Sequence, residues 1–180
     1  QSVPWGVVSL TDTVMREEAP AHDEAGRLRL YAAMRRMVDE SFAPFARRID
    51  AASREDDIRL LGTSGTVTTL ASLHLELPQY DRRAVDGLIV PSQSMRDIST
   101  RLSRMCAADR KQLPCIGDDR ANLVIAGCAI LESILDIWPA EQLGVADRGI
   151  REGILRSLIA ADAEGERSRA ALQRMREQDV

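Results

Sequence analysis

The residues best suited to chemistry are Gly62, Thr63, Ser64, Gly65 and Thr66, a small-residue turn between the apolar pair Leu60-Leu61 and a stretch with helical spacing. Two glycines let a backbone approach a ligand closely, and a helix beginning there would turn its positive end toward an anion. Thr66, Thr68 and Thr69 are candidate caps for that helix. Phosphate is the ligand class that such a turn suits. The same spacing also describes an ordinary βα turn with glycine at φ > 0 and a threonine cap, and the residues alone leave both readings open. Arg120 is a second candidate, because a guanidinium grips phosphate oxygens in a fork; its alternative is a surface arginine beside Asp118 and Asp119. In Asp147-Arg148-Gly149 the aspartate can cap a following helix and the glycine can permit a tight turn, giving a structural or cleft-lining role. Cys106, Cys115 and Cys128 form no Cys-x-x-Cys pair and have no histidine nearby for a zinc box, so they read as buried free thiols. His22 and His74 lack a catalytic neighbour, Glu132 reads as a solvated or paired helix residue, and no metal ligand is assigned.

These residues need a scaffold. Val3 to Leu10 is apolar and β-branched, with Thr11-Asp12 behind it, and is expected as an early strand. An acidic, turn-prone segment leads to a long amphipathic stretch from Arg27 to about Ala52. There Leu28, Tyr31, Met34, Met37 and Val38 share one helical face, and Pro44 should kink or interrupt the helix. Asp57 to Leu61 reads as the strand feeding the glycine turn, and Val67 to about Leu77 as the helix leaving it, stopped by Pro78. Tyr80 to Gly87 is a polar connection to a short strand ending at Val90. Ser92 or Ser94 then caps a helix through about Met105, and a short helical turn is expected within Ala107 to Leu113. Asp118 or Asp119 begins an apolar helix carrying Leu123, Ala126, Gly127, Ile130, Leu131, Ile134 and Leu135, closed by Pro139. Gln142 to Ala146 is a last buried strand, followed by a helix from Ile150 to about Ala161. Beyond residue 161 the chain is charged and alanine-rich, so 162–180 is expected as a solvated helix or frayed tail.

The 180 residues, 44% of them hydrophobic, suffice for one domain with a sizeable core. With 24 basic against 28 acidic side chains the net charge is −4, which argues against a general nucleic-acid surface. No segment approaches the roughly 20 apolar residues of a membrane span, and a cytoplasmic setting is the default. The chain opens on Gln1-Ser2-Val3-Pro4 without an initiator methionine and reads as a piece of something longer.

Four segments in order carry a family resemblance: Ser2-Val3-Pro4-Trp5-Gly6-Val7-Val8; Gly62-Thr63-Ser64-Gly65-Thr66; Arg120-Ala121-Asn122 ahead of Ala126-Gly127; and Ala146-Asp147-Arg148-Gly149-Ile150-Arg151-Glu152-Gly153. The last is the most specific. Together they resemble the second half of the core of the exopolyphosphatase/guanosine pentaphosphate phosphatase family, Ppx/GppA, from about residue 2 to 159. The resemblance implies an α/β, actin-like fold shared with sugar kinases and heat-shock chaperones, in which two related domains enclose a phosphate-binding cleft. Residues 1–161 would form a partial second domain, a mixed sheet flanked by helices with its first strands missing.

The implied chemistry is Mg²⁺-assisted hydrolysis of a terminal phosphate from polyphosphate or guanosine pentaphosphate. Gly62 to Thr66 and Arg120 would hold phosphate. The family's catalytic glutamate and first phosphate loop belong to the preceding domain, and its Asp-x-Gly-Gly-Gly-Ser loop should precede Gln1. None occurs here, so no catalytic residue is assigned, and the chain alone is expected to be inactive. The implied partners are the substrate and the chain's own first domain. Neither nucleic acid nor membrane is expected, and a homodimer is compatible with a family that is often dimeric. The rival readings are a non-hydrolytic nucleotide- or polyphosphate-binding regulator of the same fold, and a structural or interaction domain. The sequence upstream of Gln1 discriminates among them.

Overall fold

A computed structural model describes residues 2–49 and 60–178, with side chains for 2–47 and 60–165. It divides into two compact units, one running to Asp147 and the other starting at Arg148. In the first unit the amino-terminal segment is not a strand but α1 (Val7–Glu17). Gly6 starts it in an extended conformation, and Ser9 Oγ accepts from the Gly6 N–H at 2.9 Å. Leu10 and Val14 are buried while Val8 is exposed, a pattern that fits a 3.6-residue period and defeats strand alternation. Trp5, just ahead of the helix, donates its indole N–H to Met37 O at 3.1 Å and to Ser41 Oγ at 2.7 Å.

Both of those acceptors lie on α2 (Glu24–Ile49), which runs on past Pro44 rather than stopping there. Pro44 removes one N–H from the ladder, but the helix on either side is carried by its packing. Tyr31, Met34 and Val38 are buried, whereas Leu28, expected on the same face, is 37% exposed. The expected helix end near Ala52, and Asp57 to Arg59 of the expected strand, lie outside the described residues.

The sheet has three strands in the order β1-β3-β2, formed by β1 (Leu60–Gly62), β2 (Ile89–Pro91) and β3 (Gln142–Val145). β1 runs parallel to β3, with Leu61 opposite Gly144, and β2 runs antiparallel to it, with Val90 opposite Leu143. Between the strands come α3 (Gly65–His74), α4 (Arg82–Val85), α5 (Ser92–Arg104), α6 (Ala107–Lys111) and α7 (Val124–Ile137). The short α4 falls where only a polar connection was expected; Asp81 caps it by accepting from the Arg83 N–H at 2.8 Å. α3 ends earlier than Pro78 would dictate. Glu76 takes a left-handed conformation (φ 52°), Leu77 N–H bonds Ser72 O, and Glu76 N–H bonds Leu73 O, a Schellman stop without glycine.

The apolar helix α7 packs against α1, α2, α3 and α5 and is the centre of the core. It begins at Val124, not at Asp118 or Asp119. Residues 118–123 form successive turns instead, with the Arg120 and Ala121 N–H groups both donating to Gly117 O. Cys128 lies wholly inside this core, and burial pushes its thiol pKa up to about 12. Burial likewise pushes the Tyr31 phenol upward. Because both folded-state pKa values exceed the free ones, the stabilisation is full below about pH 9 and is lost as pH rises further. Urea midpoints are therefore expected to hold from pH 7 to pH 8.5 and fall above pH 9, less steeply in Cys128→Ala. A midpoint independent of pH up to 11 would contradict this.

The second unit contains α8 (Ile150–Gln178), a single helix that continues through residue 162. At its start Glu152 Oε2 accepts from the Gly149 N–H at 2.8 Å. Among the described residues no helix is long and apolar enough to cross a membrane.

Candidate functional site

The glycine turn joins β1 to α3. Ser64, rather than one of the threonines, is the cap: it is extended (φ −93°, ψ 156°) and its Oγ accepts from the Val67 N–H at 3.3 Å. Thr68 and Thr69 instead donate their hydroxyls back to Gly65 O, at 3.1 and 2.8 Å. With Val67 satisfied, the remaining first-turn N–H groups, those of Gly65 and Thr66, point out of the helix end, the arrangement an anion can fill.

Neither glycine of the turn is needed for positive φ, which among the described glycines occurs only at Gly87. Gly62 is required by packing instead: a Cβ there would stand 2.8 Å from both methyl groups of Val67. At Gly65 the nearest atoms to a Cβ would be those of the Arg120 guanidinium, whose Nη1, Cζ and Nη2 lie 3.7 to 3.8 Å from its position. Arg120 therefore covers the backbone at the helix start.

Two depressions flank this arginine. The larger, about 460 Å³, is walled by Gly65 and Thr68 of α3, by Tyr80, by the turn from Cys115 to Arg120, and by Asp147 at the end of β3. The smaller, about 250 Å³, takes in Ser64, Gly65, Thr66 and Thr69 on the other side of Arg120. Ser64, Gly65, Thr66 and Arg120 are thus brought together as the sequence suggests. Gly62 and Thr63 line a further, more apolar hollow beside β1 and α7, which Ser64 and Thr66 also border.

The large cleft carries acidic groups as well as its arginine. Arg82 Nε holds the Asp147 carboxylate at 3.0 Å, and Arg82 Nη2 also donates to Asp147 O at 2.5 Å. Asp118 lies 3.6 Å from Lys111 Nζ. These pairings offset part of the negative charge that would oppose an anion. Arg148 and Gly149 open the second unit. Of the two expectations for Glu132, the paired one holds: it is 7% exposed and bonded to Arg35.

Sequence reasoning missed Tyr80, Thr68 and Cys115 as cleft residues. Tyr80 precedes Asp81, the α4 cap, and that cap was the one local sign that this connection is ordered. Among the described residues no group of three or more His, Cys, Asp or Glu is placed to hold a metal ion.

A mixed sheet covered by helices, with a small-residue turn at a helix start, places the chain in the actin-like ATPase class of α/β folds. Residues 1–161 match the family model of the Ppx/GppA phosphatases, and the chain belongs to the Ppx/GppA phosphatase family. It is 27% identical over 161 residues to Exopolyphosphatase 2 of Mycobacterium tuberculosis, covering 87% of this chain and 48% of that protein. To Exopolyphosphatase 1 of Mycobacterium leprae it is 29% identical over 165 residues, covering 91% and 46%. A Ppx/GppA phosphatase structure from Aquifex aeolicus superposes with a TM-score of 0.66 at 25% identity, over 87% of this chain and 48% of the other. An exopolyphosphatase structure from Cytophaga hutchinsonii gives 0.71 at 20% identity, over 89% and 49%. The chain spans about half the length of the relatives it matches.

Proposed function

We propose that this chain is the phosphate-holding part of a phosphohydrolase that releases terminal orthophosphate from linear inorganic polyphosphate, with guanosine pentaphosphate as a second substrate. The observation that carries the reading is the Arg120 guanidinium lying over Gly65 at the open end of α3. Family membership and the exopolyphosphatase relatives support it.

In such a reaction water attacks the terminal phosphorus, the bridging P–O bond breaks, and the shortened chain leaves with the bridging oxygen. This chain's part is to fix non-bridging oxygens: backbone N–H groups at Gly65 and Thr66 and the forked donor of Arg120 converge on one volume. No side chain here is assigned as the base that activates water, so hydrolysis is assigned to the full-length protein and the chain alone is expected to be inactive. Mg²⁺ belongs to the same proposal, but the donor set here does not fit a cage for it. Asp147 is engaged by Arg82, and no carboxylate cluster forms among the described residues.

Phosphate release from the full-length protein, with polyphosphate and with guanosine pentaphosphate, with and without Mg²⁺, tests the proposal. Release from either substrate supports it, and release from neither by folded protein sinks it. Hydrogen bonds to a charged group contribute about 1.5–3 kcal/mol. Arg120→Ala in the full-length protein is therefore expected to raise KM roughly ten- to a hundredfold while leaving the melting temperature in place. Unchanged KM and kcat would remove Arg120 from the site.

A further inference from the structure

Arg110, on the short helix α6, is turned inward and is only 8% exposed. Its Nε donates to Ala121 O at 2.6 Å, and its Nη1 donates to Met105 O at 2.6 Å and to Leu102 O at 3.3 Å. All three acceptors are backbone carbonyls. Two of them belong to the carboxyl end of α5, where the helix dipole favours a cation. The third lies 11 residues beyond Arg110, immediately after Arg120.

The guanidinium therefore closes a loop. At the loop's start Arg110 O accepts from the Leu113 N–H at 3.1 Å, and at its end Arg110 Nε grips Ala121 O. Between these points lie Cys115, Gly117, Asp118, Asp119 and Arg120, which form one wall of the large cleft. Cys115 takes a left-handed conformation (φ 68°), which a residue other than glycine keeps only where its surroundings impose it. At the far end the Arg120 and Ala121 N–H groups share Gly117 O, at 2.9 and 3.2 Å. Fixing Ala121 O thus ties this turn to the end of α5, and α5 packs on α3, the helix that starts beneath Arg120.

We propose that Arg110 is a positioning residue for the phosphate cleft, a buried clamp that sets where the Arg120 guanidinium stands relative to Gly65. The proposal rests on the reading of this cleft as a phosphate site. Arg110 acts through Ala121 and the turn, without touching substrate. Its planar fork reaches in two directions at once, toward Ala121 and toward the end of α5. A lysine keeps the charge but serves one direction only, so the loop is released while the cation retains a partner.

The test uses the full-length protein, linear inorganic polyphosphate and amide hydrogen exchange. In Arg110→Lys the Arg120 and Ala121 amides are expected to exchange about tenfold faster than in the wild type, while the amides in the middle of α7 keep their protection. KM is expected to rise about three- to tenfold with kcat within about twofold. A merely structural arginine would lower the melting temperature and the active fraction without moving KM. KM does not depend on the active fraction, so partial misfolding does not mask the effect, and Arg110→Gln, which also removes the buried charge, should raise KM at least as far. Added to Arg120→Ala, Arg110→Lys should leave KM where Arg120→Ala alone puts it, because the clamp acts through the group already removed. Unchanged exchange at Arg120 and Ala121, an unchanged KM, or an undiminished further rise in the Arg120→Ala background overturns the clamp while wild-type hydrolysis and the Arg120→Ala effect stand. Release of no phosphate by the wild type overturns the site reading, and the positioning role with it.

Discussion

Gly127→Ala is expected to destabilise the protein by about 1–2 kcal/mol and to displace the glycine turn, although alanine is the better helix former. Glycine sits inside α7, where exchange for alanine would ordinarily gain about 1 kcal/mol. Here a Cβ would stand 2.0 Å from Thr66 Oγ1, 2.6 Å from its Cγ2 and 2.8 Å from its Cβ. Thr66 is β-branched with little rotamer freedom, so no simple rotation clears the new methyl group and the helices must part. Overpacking of this kind costs about 1–3 kcal/mol and occasionally more, which outweighs the propensity gain. For a protein of this size the loss corresponds to a drop of about 2–8 °C in melting temperature. Thr66 belongs to the turn proposed to hold phosphate, so on that reading KM for polyphosphate in the full-length protein should rise as well. Adding Thr66→Ala removes the two nearest atoms and should recover at least half of the lost stability. A melting temperature for Gly127→Ala equal to or above wild type would show that the close approach of α3 and α7 does not constrain residue 127.

The second large effect is expected at Arg35. From α2 its Nη1 bonds Glu132 Oε2 at 2.5 Å, its Nε bonds Ser133 Oγ at 3.2 Å, and its Nη2 reaches Asp136, all three partners lying on α7. Asp136 is shared with Arg96 of α5 at 2.8 Å. Burial lowers the Arg35 pKa, but Asp136, Glu132 and Asp39 together more than reverse that, and the net shift is upward. Arg35→Met would leave the buried Glu132 carboxylate without its cation. Breaking a buried pair in this way costs about 3–5 kcal/mol. The Arg35 side chain remains 23% exposed, so water can replace part of the lost interaction and about 3 kcal/mol is expected. Replacing both partners, Arg35→Met with Glu132→Leu, should regain most of the loss, because no charge is then stranded. The urea midpoints of the two singles and the double measure the coupling. A single mutant within 0.5 kcal/mol of wild type would mean the network is incidental to stability.

Much of the fold was legible because it is written in local periodicity. The faces of α2 and α7, the turn between β1 and α3, and the short strands β2 and β3 all follow from spacing that a reader of the sequence can count. What failed was decided elsewhere. Val3 to Leu10 is strand-like in composition, yet the Gly6-Ser9 bond and the burial of Leu10 and Val14 make it a helix. The start of α7 was misplaced because Asp118 and Asp119 resemble caps, whereas the turns folded onto Gly117 delay the helix to Val124. In the site, the glycine turn and Arg120 could be singled out by type, but their meeting could not be read from spacing. Nor could the grip of Arg82 on Asp147, a contact between residues 65 positions apart. Of the two reasons the sequence offers for these glycines, positive φ holds at neither, and Gly62 also provides steric room for Val67.

The seating of Trp5 also decides what the protein's intrinsic fluorescence reports. The chain has two tryptophans. Trp5 is hydrogen-bonded to Met37 and Ser41, and Trp138 meets Phe45 edge-on with ring centroids 5.5 Å apart. Both indoles are therefore optical probes of one element, the carboxyl-terminal half of α2, and neither lines the cleft beneath Arg120. Emission changes on denaturation follow the undocking of α2, while occupancy of the cleft calls for a fluorophore placed on its own walls.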